Sequence, residues 1–254
     1  MPALPALIVV MGASGCGKST VGLGIAKALG VPFVDGDDLH PAANVAKMSE
    51  GKPLTDEDRI PWLHKVRRTG VLLTSPEGIA ALDRPEQPSP EEVEDHPASH
   101  ELSNSLLRVQ PASLAARREK KAAGEKRERE ALVVACSALT VQYRNLLRGE
   151  EARFKLPDGR EIVSEKHLEQ HIETFFVYLH GTRTLLLNRM SHRQGHFMKA
   201  SMLDSQLATL EEPHETDEVN VAVVRLGKGE DDSEERGIEP VVNEAIERVR
   251  RFIG

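Results

Sequence analysis

The stretch Gly12-Ala13-Ser14-Gly15-Cys16-Gly17-Lys18-Ser19 decides the fold of this chain. It fits the pattern G-x-x-x-x-G-K-[ST], a loop whose backbone wraps around nucleotide phosphates. A continuous apolar run over residues 7–11 precedes the loop and predicts a buried parallel strand. Residues 19–29 predict a helix, because apolar side chains recur there at helical spacing and Gly30 ends the pattern. Strand, glycine loop and helix together predict a nucleotide-binding site.

The composition of this loop suits an anionic ligand. Glycines let backbone N–H groups converge on a phosphate, and the helix N-terminus adds its positive end. Lys18 is expected to reach the β- and γ-phosphates, and the Ser19 hydroxyl is expected to ligate Mg²⁺. The residues predicted to bind the nucleotide are Gly12, Ala13, Ser14, Gly15, Cys16, Gly17, Lys18, Ser19 and Thr20.

The overall composition limits the partners and the location of the protein. A net charge of -7 over 254 residues argues against a general affinity for nucleic acid. Two cysteines, Cys16 and Cys136, make no disulfide framework and favour a reducing compartment. No apolar run approaches membrane-spanning length, and the apolar start is read as the first strand and not as a signal peptide. We therefore expect a cytoplasmic protein with no membrane partner; a homodimer is compatible with the sequence but not required by it.

Alternating strands and helices predict an α/β fold. Further strands are predicted at 31–35, 131–136, 174–179 and 219–224, and helices around 61–73, 141–148, 184–190, 201–210 and 241–252. This pattern indicates a parallel sheet with helices on both faces and ligands beyond the carboxyl ends of the strands. We expect one domain over residues 1–254, with surface inserts at about 75–128, 151–172 and 227–238. Within the inserts, residues 75–101 predict a long loop, residues 117–130 a solvated helix, and residues 157–159 the turn of a small hairpin.

Acidic and basic groups follow the second predicted strand. Asp35 and Asp37 lie at its carboxyl end, where carboxylates hold the water shell of a magnesium ion or accept a proton from a substrate hydroxyl. The alternative is an ordinary capping turn. Residues 56–62 predict a helix start, with Pro61 near the first helical position. Arg59 is either part of that start or a fork for a carboxylate or phosphate.

Arg189 and Arg193 lie four residues apart, on one face of a predicted helix. Two like charges at this spacing cost stability unless an anion meets them. In enzymes that handle phosphates, such a pair can sit on a lid that closes over the nucleotide, and an arginine there can stabilise the charge that develops during phosphoryl transfer. The alternative is an exposed basic helix.

Five blocks of the sequence, in order, resemble the gluconate kinases of the P-loop type. The second block is the most discriminating, because related kinases share the phosphate loop but not that continuation. The blocks cover the expected five-stranded core and not the inserts. They are the phosphate loop; Asp35-Gly36-Asp37-Asp38-Leu39-His40-Pro41; Pro53-Leu54-Thr55-Asp56-Glu57-Asp58-Arg59-Ile60-Pro61-Trp62-Leu63; Cys136-Ser137-Ala138-Leu139 with Tyr143-Arg144; and Gly195-His196-Phe197-Met198 with Ser205-Gln206.

The resemblance implies an activity and a set of roles. The activity is transfer of the γ-phosphoryl group of ATP to the 6-hydroxyl of D-gluconate, with Mg²⁺, on a sheet of order 2-3-1-4-5 with a mobile lid. Asp35 and Ser19 would hold the metal, Asp37 would orient the attacking hydroxyl, and Arg189 would stack on adenine. The catalytic residues implied are Lys18, Asp37 and Arg193, and the sugar acid would be bound by Asp37, His40, Arg59, Ser137, Ala138, Arg144, His196 and Gln206.

One departure from the family pattern concerns charge. Thr140 stands where gluconate kinases commonly have a lysine, so Arg144 or another cation must replace it if that lysine helps to hold the sugar acid. Three alternatives stay open: a shikimate- or nucleotide-type kinase on the same fold, a regulatory nucleotide-binding module with no small acceptor, and a pseudo-enzyme whose inserts bind a partner protein. The sequence has no N-K-x-D guanine signature, which argues against a GTPase-like switch.

Overall fold

A five-stranded parallel sheet organises the structure, a computed structural model that describes residues 3–84, 97–125, 129–166, 172–191, 200–229 and 234–254. The sheet order is β2-β3-β1-β6-β7, which is 2-3-1-4-5 when only the strands of this sheet are counted, as the resemblance implied. The strands are β1 (Ala6–Met11), β2 (Phe33–Asp35), β3 (Ala131–Ala135), β4 (Ala152–Lys155), β5 (Glu161–Ser164), β6 (Glu173–His180), β7 (Val221–Arg225), β8 (Gly227–Lys228) and β9 (Glu234–Glu235).

Helices cover both faces of the sheet. The helices are α1 (Lys18–Leu29), α2 (Ala42–Ser49), α3 (Asp56–Leu73), α4 (Pro76–Leu82), α5 (Pro97–Leu106), α6 (Pro111–Ala122), α7 (Val141–Arg148), α8 (Arg183–Ser191), α9 (Ala200–Thr209) and α10 (Ile238–Ile253). All of β1 is buried, and its side chains alternate between two apolar cores. Leu7 and Val9 face a core shared with α3 and α7, whereas Ile8 and Val10 face a core shared with α1 and α10. The near-continuous apolar runs in the sequence therefore correspond to strands buried on both faces.

The described helices include none that is both long enough and apolar enough to cross a membrane.

The region between α3 and β3 is not a surface insert over its described part. The predicted long loop at 75–101 contains α4. Helix α6, which overlaps the helix predicted to be solvated at 117–130, packs through Leu114 into the same core as Leu82 and Leu106. Arg117 is only 1% exposed, and it pairs with Asp83 at 2.9 Å and Glu130 at 3.2 Å. The prediction of a solvated helix was wrong because the Arg117 side chain is buried and its charge is paired with carboxylates outside the helix.

The other predicted inserts form short antiparallel pairs. Strands β4 and β5 make the small hairpin that the turn at residues 157–159 predicted. Strands β8 and β9, within the insert expected at 227–238, pair beside the end of β7. Phe154 of the hairpin is buried in the α3–α7 core. The hairpin therefore adds to that core and is not purely a surface structure.

Helix α3 begins five residues before the position that Pro61 suggested. Thr55 caps it, because the Thr55 and Asp58 side chains each bond the other residue's backbone N–H. Pro61 therefore lies inside the helix and not near its first position. The pattern T-x-x-D is a recognised variant of the helix-start signal, so the sequence did contain the information.

Candidate active site

The phosphate loop connects β1 to α1 at the carboxyl edge of the sheet. Gly12, Gly15 and Gly17 have φ values of 139°, 84° and 93°, which L side chains rarely adopt. At Gly12 a Cβ would also lie 2.9 Å from the Leu179 carbonyl oxygen. The structure thus brings the predicted loop residues into one turn that opens onto the helix N-terminus at Lys18.

Lys18 and Ser19 are held by neighbours in the described structure. The Lys18 Nζ donates to the carbonyl oxygens of Gly12 at 3.0 Å and Ala13 at 3.1 Å. The Ser19 Oγ donates to Asp35 Oδ2 at 2.5 Å, and Asp35 Oδ1 accepts the Asp37 N–H at 3.1 Å. This chain of contacts joins the phosphate loop directly to the acidic turn after β2.

The charged groups of the two segments converge on β3. The pKa of the Cys136 thiol is raised to about 12, chiefly by burial; the carboxylates of Asp37 and Asp35 also raise it, whereas a backbone hydrogen bond with Ala138 and the charge of Lys18 lower it. The Asp37 side chain is exposed, in the short 3₁₀ turn Gly36–Leu39. Asp37 and Lys18 therefore both lie near the end of β3, as a proton acceptor and a phosphate ligand in one site would require.

Ser19 and Asp35 are suitable ligands for a magnesium ion. Both present oxygen atoms, the ligands that Mg²⁺ prefers, and the bond between them shows that the two side chains reach one point. The described residues contain no group of three or more His, Cys, Asp or Glu that could hold a metal ion. One carboxylate and one hydroxyl suit an ion that keeps several waters and takes further ligands from phosphates.

A second set of side chains lies beside the acidic turn. His40 stacks on Trp62, with ring centroids 4.1 Å apart and planes 15° apart, and the Trp62 Nε1 donates to the Gly36 carbonyl at 2.8 Å. The pKa of His40 is lowered to about 4, chiefly by burial and then by the positive charges of Arg59 and Lys65. His40 is therefore neutral at pH 7.

Arg59 is oriented by an aromatic side chain from α7. Its Nη1 donates to the Tyr143 hydroxyl oxygen at 3.2 Å, and its guanidinium lies 5.8 Å from the centre of the Tyr143 ring. The Tyr143 hydroxyl in turn donates to Asp56. Sequence reasoning gave Tyr143 no role beyond its block of resemblance, because the contact joins positions 84 residues apart.

The turn after β3 corrects two of the predicted substrate contacts. Ala138 is fully buried in the α3–α7 core, so its side chain has no face to offer a ligand. Arg144 is also fully buried; its Nε donates to Glu218 at 2.8 Å and its Nη1 to the Ala138 carbonyl at 3.1 Å. Arg144 therefore fixes the turn from inside and does not replace the family's lysine.

Two other residues of this turn, Ser137 and Thr140, are more accessible than Ala138. Ser137 is half-buried, and its carbonyl accepts the Gly12 N–H at 3.4 Å, which sets it against the phosphate loop. Thr140 caps α7 by accepting the Tyr143 N–H at 3.2 Å. Its side chain thus has a structural role in place of the lysine's charge.

An open pocket of about 760 Å³ lies on the other side of the phosphate loop. Arg189 lines it, with Nε 2.7 Å from Glu235 and Nη1 3.3 Å from the Cys16 carbonyl. Its far wall comes from the segment leading into α10, which was expected to be a charged surface insert. The lining residues are Gly15, Gly17, Thr20, Asn188, Arg189, Glu235, Arg236, Gly237 and Ile238.

The remaining predicted residues belong to α9 and the segment before it. Gln206 was expected at the sugar acid, but its Oε1 accepts the Ser14 N–H of the phosphate loop at 2.7 Å. Arg193 and His196 lie outside the described residues, as does the centre of the expected lid.

Comparison with known proteins supports the resemblance to gluconate kinases that the sequence motifs indicated. Residues 14–58 match the family model described as shikimate kinase. A probable gluconokinase from Xenopus tropicalis is 36% identical over 208 residues, which are 82% of this chain and 79% of that protein. A gluconokinase from Gluconobacter oxydans is 36% identical over 215 residues, 85% of this chain and 80% of the relative.

A solved structure extends the likeness to three dimensions. The crystal structure of a gluconokinase from Sinorhizobium meliloti 1021 matches with a TM-score of 0.56 and 33% identity, over 99% of this chain and 95% of the other. The loop, the acidic turn and the relatives at more than 30% identity all agree, and the chain belongs to the gluconokinase family of P-loop kinases.

Proposed function

We propose that this protein transfers the γ-phosphoryl group of ATP to the 6-hydroxyl of D-gluconate, giving 6-phospho-D-gluconate and ADP. The observation that carries the proposal is the Ser19–Asp35 hydrogen bond of 2.5 Å, which joins the phosphate loop to the acidic turn. Phosphoryl transfer needs positioning and charge neutralisation more than covalent chemistry. The phosphate loop would hold the nucleotide, and the acidic turn beside it would supply a carboxylate for the acceptor hydroxyl. The two segments together would therefore provide both the positioning and the charge neutralisation.

The phosphate side of the site would use the loop amides and Lys18. Lys18 donates to two loop carbonyls, and we expect it to exchange these for the β- and γ-phosphates when ATP binds. A magnesium ion held by Ser19 and, through water, by Asp35 would neutralise phosphate charge. We expect adenine in the pocket lined by Arg189 and Ile238, and Arg193 at the transferring phosphoryl group.

The acceptor side would use the acidic turn and α3. Asp37 is exposed, its charge and that of Lys18 both act on the Cys136 thiol, and we expect Asp37 to orient the 6-hydroxyl and accept its proton. Arg59 carries the positive charge suited to the sugar-acid carboxylate, and Tyr143 directs it. His40, neutral because its pKa is lowered to about 4, can bond a hydroxyl without adding charge.

An acceptor panel tests the proposal. ADP release is measured with ATP and either D-gluconate, shikimate or AMP, and the Lys18→Ala variant gives the background. We expect turnover with gluconate alone. Shikimate is included because the matched family model is that of shikimate kinase. Turnover with shikimate or AMP and none with gluconate would refute the proposed acceptor.

We also propose a cytoplasmic location and no nucleic-acid partner. The free, buried Cys16 and Cys136 and the net charge of -7 support these proposals. A homodimer is the assembly we would test first, by light scattering of the purified protein.

A further inference from the structure

Gln206 is the point at which α9 contacts the phosphate loop. Its Oε1 accepts the backbone N–H of Ser14 at 2.7 Å, although the two residues are 192 positions apart. Ser14 is buried within the loop. The side-chain oxygen therefore accepts a hydrogen bond from a main-chain N–H group of the loop, as a phosphate oxygen would.

Neighbouring contacts hold α9 in place. Arg183 of α8 pairs with Asp204 through hydrogen bonds of 2.6 and 3.1 Å, and Leu203 is fully buried in the α1–α10 core. After the helix, Glu211 fixes the chain again, because its carboxylate accepts the Val141 N–H at 2.6 Å. Gln206 is thus presented from a braced helix, as a preorganised ligand requires.

The side-chain nitrogen of Gln206, Nε2, is a hydrogen-bond donor and therefore requires an acceptor. With Oε1 bonded to Ser14, the planar amide keeps Nε2 beside the loop, where it carries two N–H groups. The side chain is half-buried, and Nε2 has no hydrogen-bond partner among the residues that the structure describes. The matching partner is an anionic oxygen at the mouth of the loop.

We propose that Gln206 recognises the terminal phosphoryl group of the bound nucleotide, with Oε1 on the Ser14 N–H and Nε2 donating to a γ-phosphate oxygen. The inference rests on the proposed function in taking ATP as the nucleotide, but it does not depend on the acceptor. ADP has no γ-phosphate, so the contact favours the substrate nucleotide over the product nucleotide. It gives Gln206 a role distinct from the sugar-acid contact that the sequence suggested.

Two variants separate the oxygen from the nitrogen. Gln206→Met removes both polar groups at similar length, whereas Gln206→Glu keeps an oxygen for Ser14 and replaces the donor with a negative oxygen. Calorimetric titrations with MgATP and MgADP, without acceptor, measure the two affinities. We expect Gln206→Met to lose about tenfold in ATP affinity and to keep ADP affinity within about twofold, as for one lost bond to a charged group. Gln206→Glu should lose more, because its carboxylate repels the γ-phosphate.

Gln142→Met is the matched control. The Gln142 Oε1 also accepts a backbone N–H at 2.7 Å, that of Arg153, away from the phosphate loop. This variant should leave both affinities unchanged. If Gln206→Met weakens ATP and ADP equally, Gln206 only braces the loop and the proposal fails; unchanged affinities also refute it. If Gln206→Met does not fold, the loss of ATP affinity relative to the loss of ADP affinity in Gln206→Glu decides the question in the same way. Failure of gluconate in the acceptor panel would leave this result intact, since the titration contains no acceptor.

Discussion

Replacing Glu218 with glutamine should destabilise the protein far more than an exposed ion pair would predict. Glu218 is 14% exposed and accepts hydrogen bonds from the fully buried Arg144 and from Arg148. Removing one partner of a buried pair costs about 3–5 kcal/mol, because the remaining charge is left without compensation. Since Glu218 keeps some exposure and glutamine keeps one acceptor oxygen, we take the lower end, about 3 kcal/mol.

Urea and thermal unfolding at pH 7 measure this loss. For a chain of this size, about 3 kcal/mol corresponds to a fall in Tm of roughly 6–12 °C. Glu151→Gln is the control, since Glu151 and Arg153 form a pair in which both side chains are more than half exposed; it should change stability by less than about 0.5 kcal/mol. A loss for Glu218→Gln below about 1 kcal/mol, the value of a surface pair, would refute the reasoning.

The pH dependence gives the prediction a second signature. Burial raises the pKa of Glu218, but hydrogen bonds and positive charge from Arg144 and then Arg148 outweigh it and lower the pKa overall. A carboxyl whose pKa is lowered by folding contributes stability above its unfolded pKa of about 4.3 and loses it as the pH falls through the folded value. The difference between wild type and Glu218→Gln should therefore stay constant from pH 8 to about pH 5 and shrink below about 4.3. A difference that grows on acidification would contradict this assignment.

Three further predictions concern the proposed reaction. Lys18→Ala should lower kcat by about 10²–10³-fold with an unchanged melting curve, as for loss of one donor to transition-state charge; near-normal kcat would remove Lys18 from the catalytic set. Asp37→Asn should lower kcat by about 10²–10⁴-fold while calorimetry finds ATP binding retained, and normal turnover would show that Asp37 is not the base. Arg59→Ala should raise KM for gluconate by about 10–100-fold and leave KM for ATP unchanged; an effect on ATP alone would end its role as carboxylate ligand.

The phosphate half of the site could be predicted because it is local in sequence. Strand β1, the loop and α1 occupy 24 consecutive positions, Ala6–Leu29, and backbone N–H groups supply the ligands. Asp35 needed one further inference, that the carboxyl ends of parallel strands meet at one edge. The Ser19–Asp35 bond agrees with it.

The acceptor half could not be predicted to the same depth, because its contacts join distant positions. Arg59 and Arg144 both looked like ligands for an anion. Nothing near Arg144 in sequence indicates that Glu218, 74 positions away, neutralises it. Tyr143 likewise meets Arg59 across 84 positions. A pattern finds the candidate cations but not the partners that decide which of them is available.

The ion-pair partners of the cations near the site also indicate which cation is available to a sugar acid in the absence of a lysine at position 140. Arg144 is neutralised by Glu218, and Lys47 pairs with Asp58. The described hydrogen bond of Arg59 goes instead to the phenol of Tyr143, whose hydroxyl also donates to the Asp56 carboxylate, and Arg59 makes no direct ion pair with a described residue. The charges of Arg59 and Lys65 both help to lower the pKa of His40, so an incoming carboxylate would meet positive charge beside one neutral ring. We therefore expect the charge of Arg59, and not that of Arg144, to make the enzyme prefer a sugar acid over a neutral polyol.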